Sequence, residues 1–120
     1  MAFKATHKYA RISARKVRPL ADLVRGKFAD EALELLRYQP HRGARMLEKV
    51  LNSAIGNAQD PDQNKGRSTN PERLVVVSAK IDGGPTFKRI RPRARGMAYG
   101  ILRRTSHISV ELLSIDEVEE

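Results

Sequence analysis

The pattern of apolar and polar positions predicts a short strand, three helices and two further strands. The clearest signal is a helix in which apolar residues recur every three or four positions and form one continuous stripe. The stripe consists of Met46, Leu47, Val50, Leu51, Ala54, Ile55 and Ala58. We expect this helix to supply the centre of the core. Ahead of the helices, residues 3–10 are compatible with a first strand.

A first helix is predicted between Ser13 and Arg25. Ser13 is a residue type that caps helix N-termini, and Gly26 can end the helix because glycine tolerates the left-handed conformation. Pro19 lies inside this span and cannot donate a backbone hydrogen bond. The helix is therefore expected either to be kinked at Pro19 or to be regular only from that residue onward.

A second helix is predicted to be capped by Asp30 and to run to Tyr38. Its inward-facing residues are Ala32, Leu33 and Leu36. The segment from Gln59 to Pro71 is rich in turn-forming residues and nearly devoid of apolar ones, which predicts a loop.

Two apolar segments in the second half of the chain are predicted to pair as antiparallel strands. The inward positions of the first are Val75, Val77, Ala79 and Ile81. Those of the second are Ile108, Val110 and Leu112. The 25 residues from Lys80 to Arg104 are too many for a tight turn. If each arm of this connection is extended, its roughly 12 residues at ~3.3 Å per residue reach about 40 Å. A compact chain of this size has a radius of gyration of only ~14 Å, so the tip is expected to stand outside the body.

These elements predict an α+β fold in which three helices pack on a small antiparallel sheet and a long basic β-hairpin protrudes. Residues 1–120 are expected to form a single domain, with the extended hairpin at 80–104 and an acidic tail at 114–120. The absence of cysteine excludes disulfide bonds and thiolate metal ligands. No signal peptide and no membrane span are expected, because no segment has the required apolar length.

Charge is concentrated in two segments of the chain. The net charge of +9 divides into +7 over residues 2–27, zero over 28–79, +7 over 80–104 and −5 over 105–120. Between Thr86 and Arg104 there are seven basic residues and no acidic residue. So many like charges with few large aliphatic residues cannot form a core. They indicate a surface that binds a polyanion.

Two aromatic residues flank the arginine-rich part of the hairpin. Phe87 and Tyr99 present flat rings that can stack on bases, as arginine side chains also can, which favours single-stranded or irregular RNA as the partner. The alternative is that both rings pack on the apolar surface of the body. The sequence does not distinguish between these two arrangements.

Residues suited to catalysis or metal binding are sparse. The three histidines share no short ligand spacing, so no metal site and no cofactor are expected. Ser106 and His107 are neighbours on a predicted strand and point to opposite faces, which excludes a nucleophile pair. Gly83 and Gly84 are followed by Pro85 and a ribbon, so they indicate a bend and not a phosphate-binding loop. Nothing in the sequence indicates an enzyme.

Three segments together resemble a known family. The run from Gly84 to Val110, GPTFKRIRPRARGMAYGILRRTSHISV, closely resembles the hairpin of the ribosomal large-subunit protein L-twenty-two family. Ser13–Lys27 is similar to the first helix of that family, and Leu47–Ala58 to its long helix. The resemblance implies a structural constituent of the large ribosomal subunit that binds ribosomal RNA and aids subunit assembly.

The same resemblance implies a place within the ribosome. The body would lie on the outside of the large subunit near the polypeptide exit, and the hairpin would thread through ribosomal RNA to the tunnel wall, near macrolide sites. The implied partners are large-subunit ribosomal RNA, neighbouring ribosomal proteins and the nascent polypeptide. The implied location is a ribosome in the cytoplasm, of bacterial or plastid type.

By position, the resemblance assigns RNA contacts to the first helix, the hairpin and the strand that re-enters the body. These residues are Ser13, Arg15, Lys16, Arg18, Arg25, Lys80, Lys88, Arg89, Arg91, Arg93, Arg95, Arg103, Arg104, Thr105, Ser106 and His107. The tip predicted to line the tunnel consists of Phe87, Lys88, Arg89, Ile90, Arg91, Pro92 and Arg93. The chain departs from the common family pattern at Pro19, at Met97, and at Tyr99 with Gly100, where an acid–base pair is usual.

An architectural DNA-binding protein is the rival interpretation. Basic β-ribbon arms can enter a minor groove, and Pro92 between Arg91 and Arg93 suits a wedge between bases. Such proteins generally dimerise to use two arms, whereas the single stripe of the central helix leaves no evident face for a partner. The sequence therefore favours the ribosomal interpretation.

Overall fold

In a computed structural model, which describes residues 3–60 and 71–115, the chain forms a three-stranded antiparallel sheet and three α-helices. The strands are β1 Phe3–Ala10, β2 Leu74–Pro92 and β3 Ala98–Ser114. The helices are α1 Ala14–Val24, α2 Ala29–Tyr38 and α3 Arg42–Gln59. The predicted α+β class is confirmed. Positions 61–70 of the predicted loop and 116–120 of the predicted acidic tail lie outside the described residues.

Strand β3 lies in the middle of the sheet, between β1 and β2. Its residue Val110 is opposite Ala5 on β1 and Ala79 on β2. Ile108, Val110 and Leu112 are buried, as their alternation predicts. The helices supply the rest of the core, because α3 packs on β1 and β3 while α1 packs on β2.

Helix α3 forms the centre of the core, as its apolar stripe predicts. Six of the seven stripe residues are buried, and Met46 is partly buried against them. The helix begins earlier than the stripe, at Arg42, because the small residues Gly43 and Ala44 extend its buried face. A Cβ atom at Gly43 would lie 3.3 Å from side-chain atoms of Ile12, Val17 and Leu20. Glycine thus lets the start of α1 approach α3 closely.

A β-bulge in β2 overturns part of the predicted strand pattern. The pairing with β3 skips one residue between Val76 and Ser78, so Val77 is an extra residue. The bulge exchanges inward and outward positions on its two sides. The buried residues of the strand are Leu74, Val76, Ala79 and Ile81. The predicted inward face is therefore wrong for Val75 and Val77 and right for the other two positions.

Helix α1 follows most of its prediction. It starts directly after Ser13 and continues through Pro19, so the alternative of a late start at Pro19 is wrong. Ser13 occupies the cap position but makes no side-chain capping hydrogen bond. Gly26 has a φ angle of +84° and donates its N–H to the carbonyl of Val76 at 2.8 Å. This bond ties the end of the helix to β2.

The predicted cap of α2 is wrong. Phe28 occupies the cap position, and Asp30 lies in the first turn, where its carboxylate accepts a hydrogen bond from the N–H of Glu31 at 3.0 Å. The two acidic side chains stabilise the positive end of the helix dipole from this turn. The helix ends at Tyr38 as predicted, and Leu33 is only partly buried beside Ala32 and Leu36.

Beyond Gly83, β2 and β3 continue away from the body as a two-stranded ribbon, which we call the arm. The arm runs from the pair Thr86–Arg104 to the pair Pro92–Ala98. A turn at residues 93–97 closes it, with a 2.7 Å hydrogen bond from the N–H of Arg93 to the carbonyl of Met97. The molecule measures 65 × 28 × 22 Å and has a radius of gyration of 17.6 Å, above the ~14 Å of a compact chain. The protruding hairpin is confirmed, and its 25-residue connection is mostly strand.

Candidate nucleic-acid interface

A groove of about 1300 Å³ separates the N-terminal end of α1 from the base of the arm. Eight basic residues line it, and none of the described residues that line it is acidic. The eight are Arg11, Arg15, Lys16, Arg18, Arg42, Arg89, Arg103 and Arg104. The fold thus joins the two segments of charge +7, which are far apart in the sequence. Such a concentration of positive charge favours a polyanion.

Backbone carbonyls hold two of the groove arginines, Arg18 and Arg42, in position. Arg18 donates from Nε and Nη2 to the carbonyl of Ile81, at 3.3 and 3.2 Å, and thereby fastens α1 to β2. Arg42, at the start of α3, donates from Nη2 to the carbonyl of Arg11 at 2.8 Å. Because the acceptors are neutral, these contacts orient the guanidinium groups without neutralising them. The groove keeps its positive charge.

Apart from Ser106 and His107, which lie on the strand that re-enters the body, the predicted RNA-binding residues fall into three places. Those that line the groove are Ser13, Arg15, Lys16, Arg18, Arg89, Arg103, Arg104 and Thr105. Those on the arm but outside the groove lining are Lys88, Arg91, Arg93 and Arg95. Arg25 and Lys80 lie outside the groove lining. Arg25 forms an ion pair with Asp22 at 2.7 Å and donates to the carbonyl of Ala79, which anchors α1 to β2.

Thr105 and Ser106, where β3 re-enters the body, are buried, although both are predicted to contact RNA. Thr105 is 7% exposed, and its hydroxyl donates to the carbonyl of Pro85 at 2.7 Å. Ser106 is fully buried between β1 and β2, and its hydroxyl has no hydrogen-bond partner among the residues that the structure describes. The burial of Ser106 does not favour a direct RNA contact, and its predicted role stays a prediction. The residue is buried because it faces the core where the arm joins the sheet.

His107 braces the base of the arm against β1. Its Nδ1 accepts a hydrogen bond from the backbone N–H of Tyr9 at 3.1 Å, and the two rings meet edge to face with centroids 4.9 Å apart. Tyr9 has a φ angle of 59°, in the left-handed region, and lies where the β1 register shifts between His7 and Ala10. Tyr9 also lines the groove. The histidine thus positions the rim of the groove.

The register of the arm gives it two chemically different faces, because residues directly opposite in an antiparallel pair point to the same side. One face, which we call the arginine face, carries Phe87, Arg89, Arg91, Tyr99, Ile101 and Arg103. The opposite face, which we call the apolar face after its outer part, carries Ile90, Pro92, Ala98, Gly100 and Leu102, with Thr86, Lys88 and Arg104 near its base. A two-stranded ribbon has no core of its own, so both faces are available to partners.

Most of the residues predicted to line the tunnel lie on β2, ahead of the turn that closes the arm. Residues 87–92 belong to β2, and the turn itself spans 93–97. Arg95 and Gly96 have φ angles of 65° and 70°, which let the five-residue turn reverse direction. Of the predicted tip residues, Arg93 alone belongs to the turn.

Tyr9, Arg11 and Arg42 are among the groove residues that sequence reasoning missed. Arg11 lies in the first +7 segment, so a count of charges was a sufficient signal. Arg42 lies in the neutral segment 28–79, and only the packing of α3 beside α1 brings it to the groove. Within the described ranges no group of three His, Cys, Asp or Glu side chains is arranged to hold a metal ion. No helix in those ranges has the length and apolar character needed to cross a membrane.

A small α+β body with a basic groove and a long basic β-ribbon is typical of proteins that bind polyanions. Residues 5–113 match the family described as Ribosomal protein L22p/L17e. The chain belongs to this family, so it is a ribosomal protein with a structural role and not an enzyme. The resemblance of the hairpin and the two helices is confirmed.

Relatives match along nearly their whole length. A protein of Rhodopirellula baltica named large ribosomal subunit protein uL22 is 67% identical over 116 residues, which cover 97% of this chain and 98% of the relative. The protein of that name from Desulfotalea psychrophila is 49% identical over 112 residues, covering 93% and 97%. The one from Roseiflexus castenholzii is 48% identical over 120 residues, covering 100% and 99%.

Proposed function

We propose that this protein is a structural constituent of the large ribosomal subunit, that it binds ribosomal RNA and aids subunit assembly, and that its arm helps line the polypeptide exit tunnel. Its partners are large-subunit ribosomal RNA, neighbouring ribosomal proteins and the nascent polypeptide, in a ribosome of the cytoplasm. The printed names of the relatives support the subunit assignment. Family membership lends no support to the DNA-binding alternative.

The groove is the observation that carries RNA binding. Its eight basic residues come from α1, α3, the β1–α1 connection and both strands of the arm, so one polyanion seated there would hold body and arm together. Phosphate contacts supply most of the sequence-independent affinity for nucleic acid, and each contact releases counterions. Assembly follows from the same property, because a basic protein neutralises RNA segments that would otherwise repel one another.

A matched pair of variants tests the groove. Arg15→Glu with Lys16→Glu reverses two exposed groove charges, and the reversal favours the first turn of α1, so folding should be preserved. Lys27→Glu with Lys49→Glu makes the same change in charge at exposed positions outside the groove lining. Filter binding to a transcript of large-subunit ribosomal RNA, at several salt concentrations, compares the two proteins with the unchanged one.

The groove variant should bind roughly tenfold more weakly at moderate salt, and its salt dependence should fall by about two phosphate contacts. The control variant should differ little from the unchanged protein. Equal weakening by both variants would indicate that only the net charge matters and would contradict a directed RNA-binding groove.

Tunnel lining is supported by the reach of the arm. Seven successive cross-strand pairs, from Thr86–Arg104 to Pro92–Ala98, extend about 23 Å at ~3.3 Å per residue before the turn begins. An arm of this length can carry the turn into a cavity that the body does not enter. The arm would act on a nascent chain by setting the width of the tunnel and the electrostatic potential inside it.

Deleting Phe87, Lys88 and Arg89 together tests this part of the proposal. The deletion shortens one strand of the arm but leaves Gly84, Pro85 and the groove residues of α1, so ribosomes should assemble and translate. Sensitivity to macrolides, or the arrest of translation by particular nascent peptides, should change because the width of the tunnel changes. Unchanged drug response and unchanged arrest, with the shortened protein confirmed in the particle, would contradict tunnel lining and leave the RNA-binding proposal standing.

A further inference from the structure

The arginine face of the arm carries two aromatic rings, each with an arginine over it. The Cζ atom of Arg89 lies 5.6 Å from the centroid of the Phe87 ring, and that of Arg93 lies 5.9 Å from the centroid of the Tyr99 ring. Both distances fall in the range of cation–π contacts. Phe87 lies at the base of the arm and lines the groove, whereas Tyr99 lies beside the turn.

The sequence left open whether the Tyr99 ring stacks on bases or packs on the apolar surface of the body. The position of Tyr99 on the arm excludes packing on the body. Its cross-strand partner is Arg91, and only the pair Pro92–Ala98 separates it from the turn. At this distance along the arm the ring cannot pack on the body. The side chain is 52% exposed, and with Arg93 and Ala94 it lines a shallow hollow in the surface.

The surroundings of the ring match the chemistry of a nucleotide. The ring offers a π-face, the planar guanidinium of Arg93 can extend the same stacking surface, and Arg91 directly opposite can pair with a phosphate. No acidic residue lies between Asp82 and Glu111 to repel that phosphate. A purely apolar partner would be expected on the apolar face instead, where Ile90 is 77% exposed.

We propose that Tyr99 and Arg93 form a stacking site for one unpaired nucleobase of RNA, with Arg91 as the contact to the adjoining phosphate. This proposal rests on the proposed function, since it assumes that the arm meets RNA. It goes further by naming the part of the nucleotide that is bound and the residues that bind it. The base is held by its flat face, so the site should show little preference among the bases.

Two single-stranded probes separate base stacking from phosphate binding. One is an oligoadenylate of about 12 nucleotides, within the usual site size of such surfaces, and the other is an abasic oligonucleotide of the same length and charge. Fluorescence anisotropy of labelled probes gives the affinity of the full chain for each. The compared proteins are the unchanged chain, Tyr99→Leu, Tyr99→Phe and Ile90→Ala, the last as a matched control on the apolar face.

The unchanged protein should bind the oligoadenylate about tenfold more tightly than the abasic probe, as expected for one stacked base. Tyr99→Leu should lose most of this preference without weakening its affinity for the abasic probe. Tyr99→Phe and Ile90→Ala should retain the preference, because the first keeps the ring and the second lies on the other face.

Tyrosine emission gives an independent measurement, because the chain has three tyrosines and no tryptophan. In a chain carrying Tyr9→Phe and Tyr38→Phe, Tyr99 is the sole emitter, and a base stacked on its ring should quench it. The oligoadenylate should therefore quench the emission, and the abasic probe should not.

Equal affinity of the unchanged protein for both probes would overturn the stacking site and leave RNA binding through phosphates intact. A preference lost equally in Tyr99→Leu and Ile90→Ala would also overturn it. Failure of the unchanged protein to bind either probe or the ribosomal RNA transcript would overturn the proposed function, and the stacking site with it.

Discussion

Replacing Gly84 by alanine tests how the arm is joined to the body. An added Cβ would lie 2.5 Å from Oγ1 of Thr105 and 3.3 Å from Nε2 of His107. The Thr105 hydroxyl donates to the carbonyl of Pro85, so it can move away only by giving up that bond in a nearly buried site. A lost hydrogen bond that leaves a buried polar group unpaired costs about 1–3 kcal/mol. We expect Gly84→Ala to lower the free energy of unfolding by this amount.

Thermal unfolding followed by circular dichroism measures the effect, since 1 kcal/mol shifts the melting temperature of a domain of this size by about 4 °C. Gly83→Ala is the matched control, because its added Cβ meets nothing within 4 Å. This variant should stay within about 0.5 kcal/mol of the unchanged protein.

A double-mutant cycle with Thr105→Ala removes the obstructing hydroxyl. The double variant should lose less stability than the sum of the two single variants, because the steric overlap is then absent. Strict additivity, or a Gly84→Ala protein as stable as Gly83→Ala, would refute the steric reasoning.

Three further predictions concern the division into body and arm. Reversing Arg91, Arg93 and Arg95 to glutamate should weaken filter binding to large-subunit ribosomal RNA but shift the melting temperature by less than about 2 °C, because exposed charges contribute little to folding. Val50, which is 4% exposed, should behave oppositely when changed to aspartate, with circular dichroism showing an unfolded body after a cost on the order of several kcal/mol. In the free protein, amide hydrogens of residues 90–96 should exchange faster than those of α3 and slow on RNA binding, because the arm buries few apolar groups. Unfolding by the triple reversal, or equal protection of the two segments without RNA, would contradict the division.

Local patterns in the sequence predicted the elements whose signal is periodic. The α3 stripe and the alternating residues Ile108, Val110 and Leu112 face the core as expected. Burial on one face imposes a regular spacing of apolar residues, and that spacing is visible in the sequence. The bulge at Val77 interrupts such a period, and it depends on the pairing with β3. The strand itself gives no sign of where its partner skips a residue.

The candidate interface was predictable in its charge but not in its assembly. Counting charges along the sequence identified the two basic segments. Their meeting at one groove depends on the packing of α1 against β2 beside the arm, which the counts do not show. Arg42 enters the groove from a neutral segment, and Ser106 is fully buried although its neighbour Thr105 lines the groove. Long-range packing decides both placements.

Site-specific photo-cross-linking in assembled ribosomes tests the central claim most directly. A photoreactive amino acid replaces Arg15 in the groove, Arg95 in the turn or Lys49 outside the groove lining, and each cross-linked product is identified as RNA or protein. The account predicts large-subunit ribosomal RNA cross-linked from positions 15 and 95, with nascent polypeptide also cross-linked from 95 in translating ribosomes, and much less RNA from position 49. Ribosomal RNA cross-linked as strongly from position 49 as from position 15 would contradict it.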